Sequence, residues 1–133
     1  MRRKVLPLLA IVWLTGWGLV GQVLGQGEPV VRGGTVTYPN FDVNIDDGGG
    51  LGRLRLGFEV LFTDELGAKA AAALQVRESI LLFLRGKSAA DLLAPKGRDV
   101  LRAQLLAHIN AAIGSPKAVK LFYLDYVVIK GTP

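Results

Sequence analysis

Hydrophobic and polar positions divide this chain into one leading apolar run and a series of shorter periodic segments. Val5 to Gly27 carries no ionisable side chain, is preceded by Arg2, Arg3 and Lys4, and ends at Glu28, the first acid. A helix over Val5–Gln26 measures about 33 Å, which matches a hydrocarbon core of roughly 30 Å. Inside lipid such a run becomes helical because its backbone must satisfy its own hydrogen bonds. Cations at the amino end favour leaving that end in the cytoplasm. The run therefore predicts a tail over Met1–Lys4, a single membrane anchor to residue 26, and an outward-facing remainder. The same residues also fit a cleaved secretory signal, with Val5–Val20 as the apolar region and a cut after Gly25. Either way, the chain from Glu28 onward lies outside the cytoplasm.

Beyond the anchor, Gly27, Pro29, Gly33 and Gly34 mark a linker over residues 27–34. Thr35–Asp46 predicts a first strand, rich in Thr, Val and Tyr. Its Pro39 requires an edge position or a bulge. Asp46-Asp47-Gly48-Gly49-Gly50 predicts a turn. Leu54–Thr63 is the clearest strand: Leu54, Leu56, Phe58, Val60 and Phe62 alternate with Arg53, Arg55, Gly57, Glu59 and Leu61. Thr63, Asp64 and Glu65 supply a helix start.

Leu66–Arg85 predicts one helix through the Ala70–Ala73 run, with Leu66, Ala70, Ala73, Leu74, Arg77, Ile80, Leu81 and Leu84 on its inner stripe. Gly86 ends it. Ser88 caps a short helix to Leu93, with Asp91 at the capping-box position. After Pro95-Lys96-Gly97, a third helix over Arg98–Ile113 carries Leu101, Leu105, Ile109, Ala112 and Ile113 inward, and Gly114 terminates it. Ala118–Lys130 predicts a last strand with Phe122, Leu124, Tyr126 and Val128 on one face. Val119, Leu121, Tyr123, Val127 and Ile129 line the other. Apolar residues on both faces predict a strand that is central or covered on both sides. The order β-β-α-α-α-β implies an α+β domain over residues 35–133, the last strand returning to the sheet of the first two.

Charge and composition narrow the chemistry. Of sixteen cations three are Arg2, Arg3 and Lys4, which leaves thirteen against eleven acids. With no basic stripe the domain makes a poor nucleic-acid binder. The chain has no cysteine and one histidine, which argues against disulfides and zinc. The Asp46–Gly50 turn lacks the spaced acids and closing Glu of a calcium loop, and Gly48–Gly52 lacks the Lys and helix of a phosphate loop. His108 would have to be the base of any serine triad, yet Ser79, Ser88 and Ser115 stand in no nucleophile-elbow context. Asp125 lies on an apolar strand and reads as a rim carboxylate paired with Arg or capping a helix, or else as an isolated buried acid. Arg77, Arg85, Lys87, Arg98 and Arg102 read as solvated helix faces or as contacts to anionic headgroups. No catalytic residue, cofactor site or metal site is expected.

Several ordered pieces resemble a known family. Arg77 and Glu78 precede the aliphatic Ile80 and Leu81; Ser88, Asp91 and Leu92 open a short helix; Gly97, Leu101 and Arg102 start the next; Ile109 and Asn110 form a pair. Val119, Phe122, Tyr123, Tyr126 and Val127 mark the closing strand, and Val43, Asn44 and Ile45 lie in the first. Together with the leading anchor, these are similar to the flagellar basal body-associated FliL family. Gln75 stands where a proline is usual, and Lys130 where a glutamine is usual. The resemblance implies a non-enzymatic, single-pass inner-membrane protein with a periplasmic domain of the stomatin type. It also implies association with the basal body and its stator units, assembly into a homo-oligomeric ring, and a role in flagellar rotation, motility and chemotaxis. Two other readings stay open: a stomatin-like scaffold, and a secreted binding protein or hydrolase released by signal cleavage.

Overall fold

A computed structural model describes residues 27–131. The proposed anchor over residues 5–26 lies outside the described residues. Among those described, no helix is long and apolar enough to cross a membrane. Eight elements follow in order: β1 (Val30–Arg32), β2 (Thr35–Asp47), β3 (Gly50–Phe62), α1 (Glu65–Ala71), α2 (Leu74–Arg85), α3 (Ala89–Leu93), α4 (Gly97–Ile113) and β4 (Ala118–Ile129). The strands form one antiparallel sheet in the order β1-β2-β3-β4. The helices cover one face of it, giving the expected α+β architecture.

The β2–β3 hairpin turns on Gly48 and Gly49 at φ 62° and 99°. This pair of positive φ angles matches the twist of the flanking strands and excludes most side chains. Residues 54, 56, 58, 60 and 62 of β3 are all buried, as their alternation predicts. They meet Val36, Tyr38, Phe41, Val43 and Ile45 of β2 beneath Ile80 and Leu84 of α2 and Leu101, Leu105 and Ile109 of α4. Pro39 falls where the β2–β3 register shifts between Tyr38 and Phe41, as its missing N–H requires. Ser88 accepts from the Asp91 N–H. Gly114 closes α4 at φ 73°. Ser115 N–H then reaches the Asn110 carbonyl and Gly114 N–H that of Ala111, the paired bonds of a left-handed helix stop.

Four expectations are corrected. The linker contains β1, which pairs with Thr35–Thr37 of β2. The Leu66–Arg85 helix is two helices. The carbonyl of Ala71 accepts a 2.7 Å hydrogen bond from the Tyr38 hydroxyl, and Ala73 is extended at the start of α2. The break rotates the inner stripe to Ala68 and Ala71, then Val76, Ile80 and Leu84, and leaves Leu66 and Leu74 exposed. In α4, Ala112 is also exposed. Finally, β4 is an edge strand, neither central nor covered on both faces.

Candidate docking surface

The two edges of the sheet differ. On the β2 side, β1 pairs with Thr35–Thr37. At the other end of β2, the Asp46 backbone N–H donates to the Lys87 carbonyl and Asp46 bridges to Ser88. On the β4 side no strand pairs with the outer edge among the described residues. Only the start of β4 is claimed: Asn110 donates to the Ala118 carbonyl at 3.1 Å and accepts from its N–H at 2.8 Å.

Two bulges decide which β4 side chains face out. Register runs Val60 to Leu121, Glu59 to Phe122 and Phe58 to Tyr123, then slips so that Gly57 meets Asp125 and Leu56 meets Tyr126. Leu124 is the extra residue; Val119 is a second, between Ala118 and Lys120. The slip overturns the simple alternation. Leu121, Tyr123, Tyr126 and Val128 pack toward the helices. Phe122, Asp125, Val127 and Ile129 take the open face. Asp125 therefore does not point into the core, and it has neither an Arg partner nor a helix end to cap among the described residues.

The result is an exposed apolar row: Phe122 is 53% exposed, Leu124 59%, Val127 39% and Ile129 54%. Moving inward across the open face, the character changes. Arg53 pairs with Asp42 on β2, and Thr37 donates to Glu59 at 3.0 Å. One ion pair and one hydrogen bond lie toward β2, and the exposed apolar side chains of β4 gather at its edge. Apolar residues scattered singly are ordinary on a surface; a row of them on an unpaired strand is a candidate contact surface.

The row is held from behind. Tyr123 donates to the Arg98 carbonyl at 2.7 Å, and Tyr126 to the Leu92 carbonyl at 2.8 Å. The Arg98 guanidinium lies 4.6 Å from the Tyr126 ring centre and that of Arg102 5.1 Å from Tyr123, geometry favourable for cation–π attraction. Burial raises the pKa of both phenols above the ordinary tyrosine value. Strand β4 is thereby fixed to α3 and α4. Of the helix cations singled out in the sequence, Arg77 and Lys87 also stand over rings, those of Phe41 and Phe83.

One pairing escapes the sequence. Ser79 Oγ and His108 Nε2 lie 2.7 Å apart, joining α2 to α4, and Phe83 stacks on the imidazole at 4.8 Å. The same Nε2 is 3.2 Å from the Ser79 carbonyl. A carbonyl only accepts, so the tautomer that satisfies it carries the proton on Nε2. That nitrogen then has no lone pair to take the Ser79 proton, and no carboxylate orients the ring among the described residues. The contact is a clasp between helices. A groove of about 310 Å³ lies between α3 and α4, with Lys87, Asp91, Lys96 and Gln104 around Leu92 and Val100. Lys87 Nζ donates to Gln104 across it at 2.6 Å.

The profile of one protein family, described as flagellar basal body-associated protein FliL, matches residues 35–129. No curated protein matches the chain.

Proposed function

The chain belongs to the flagellar basal body-associated FliL family, and on that premise we propose that it supports the motor's stator units through protein–protein contact. In this reading it is a single-pass inner-membrane protein. Residues 5–26 span the bilayer, and the domain that starts at Thr35 stands in the periplasm close to the membrane. It acts in flagellar rotation and motility without catalysis and assembles with copies of itself. The domain's likeness to the stomatin type belongs to the same proposal.

The observation that carries the reading is the apolar row on the free edge of β4. An unpaired strand that exposes Phe122, Leu124, Val127 and Ile129 offers main-chain groups for strand addition and side chains for specificity. The leading apolar run supplies the tether. A deletion strain tests the role: swimming or swarming should fall while filaments are still exported. Normal motility under high load in that strain would overturn it.

A further inference from the structure

The outer edge of β4 carries a charge pattern that complements itself. Lys120 and Asp125 both lie on the open face of the sheet, opposite Leu61 and Gly57 of β3. Neither has an ion-pair partner among the described residues. Between them stand Phe122, half exposed, and the bulge residue Leu124. Resting on the reading of β4 as a docking surface, we propose that β4 pairs antiparallel with β4 of a second copy, about a two-fold axis through Phe122.

Face and charge choose that register. Residues opposite one another in an antiparallel ladder share a face of the sheet. With Phe122 opposite its own symmetry mate, Leu121 lies opposite Tyr123 of the second copy, both on the helix-covered face. Lys120 then lies opposite Leu124 and Asp125 of the second copy, two residues against one, as Leu124 already requires within the β3–β4 pair. Asp125 of the second copy returns to the face of Lys120, and symmetry makes that ion pair twice. Centring the axis on Leu121 instead sets Lys120 against Phe122 and carries Asp125 past the start of β4 to Lys117, which already pairs with Asp64; centring it on Tyr123 sets both charges against apolar residues. Centring it on Lys120 opposes two lysines. A lysine on an edge ordinarily discourages pairing; in the Phe122 register it meets a carboxylate. The axis stands perpendicular to the sheet, so the pair is a continuous eight-stranded sheet with both helical layers on one side. The contact is isologous and closed, and a larger ring needs a second, different contact.

The chain contains no cysteine, so single cysteines placed along residues 119–127 of the full chain in detergent report proximity directly. Disulfides need Cα atoms within about 7 Å. Under mild oxidation F122C should give the highest yield of covalent dimer, with L124C and V127C several-fold lower. In the F122C background, K120D and D125K should each reduce the yield several-fold, and K120D with D125K together should restore it. A flat profile, a maximum away from residue 122, or no recovery in the double reversal would overturn the pairing. The crosslink needs no flagellum, so the two readings fail separately. A maximum at residue 122 beside normal motility in the deletion strain removes the motor role alone. F122C crosslinking to a basal-body component without self-adducts removes the pairing alone.

Discussion

The Tyr38 hydroxyl reaches across 33 residues of sequence to the Ala71 carbonyl at 2.7 Å, and the helix breaks where it lands. Tyr38 is fully buried, its ring tilted against Phe58 at 5.0 Å between centres. Tyr38→Phe keeps the ring and strands a buried acceptor, at a cost of about 1–3 kcal/mol. Thermal unfolding of the full chain in detergent should show a lowered midpoint, and amide exchange at Ala72 and Ala73 should quicken. An unchanged midpoint would mean that water or a helical N–H replaces the phenol.

Gly97 sits where α4 meets α3. A Cβ there would stand 2.5 and 2.6 Å from the carbonyl oxygens of Asp91 and Leu92, and backbone atoms cannot swing aside as a side-chain tip can. Gly97→Ala should cost about 1–3 kcal/mol by forcing the two helices apart. It should also loosen Tyr126, whose hydroxyl bonds to Leu92. Stability measured by denaturant, with Tyr126 monitored by aromatic NMR, checks both effects.

Acid and alkali act on different residues. Asp64 caps α1 by accepting from the Gly67 N–H at 2.8 Å and also bonds to Lys117 at 3.0 Å; these hydrogen bonds lower its pKa. A depressed carboxyl stabilises the fold above the unfolded pKa, and that contribution is lost as pH falls through the folded value. Stability should therefore drop on acidification below about pH 4, and Asp64→Asn should flatten the drop.

All three tyrosines, Tyr38, Tyr123 and Tyr126, have pKa values raised by burial. Their neutral forms favour the fold fully below the unfolded value of 10.0. As pH rises above it, the unfolded chain ionises first and stability falls. Phenolate absorbance should appear together with unfolding; three tyrosines titrating near pH 10 in an intact fold would contradict the packing.

Much of the domain was legible because local chemistry decides it. The alternation from Leu54 to Phe62 marks a half-buried strand, Ser88 accepts the Asp91 N–H it was placed to accept, and Gly114 occupies the left-handed position at the end of α4. What stayed hidden is set at a distance. Ala70–Ala73 has high helix propensity, and a tyrosine on another element interrupts it. Leu124 adds one residue to β4 and turns every later side chain over, a change that period-two patterning cannot register. The apolar content of β4 signalled coverage on both faces without saying whether this chain or another molecule supplies it. Ser79 and His108 meet across 29 residues with no shared motif. Asn110 entered only as half of an Ile-Asn pair, and its two bonds to Ala118 show its work: it fixes where β4 begins.

The central claim is that the free edge of β4 is the working surface. The most direct test is motility under load in a strain whose only copy carries F122E and V127E, both on the open face and away from the helix-packed Tyr123 and Tyr126. The account predicts swarming reduced to the level of the deletion strain, with protein abundance and unfolding midpoint unchanged. Wild-type swarming by that strain would contradict it.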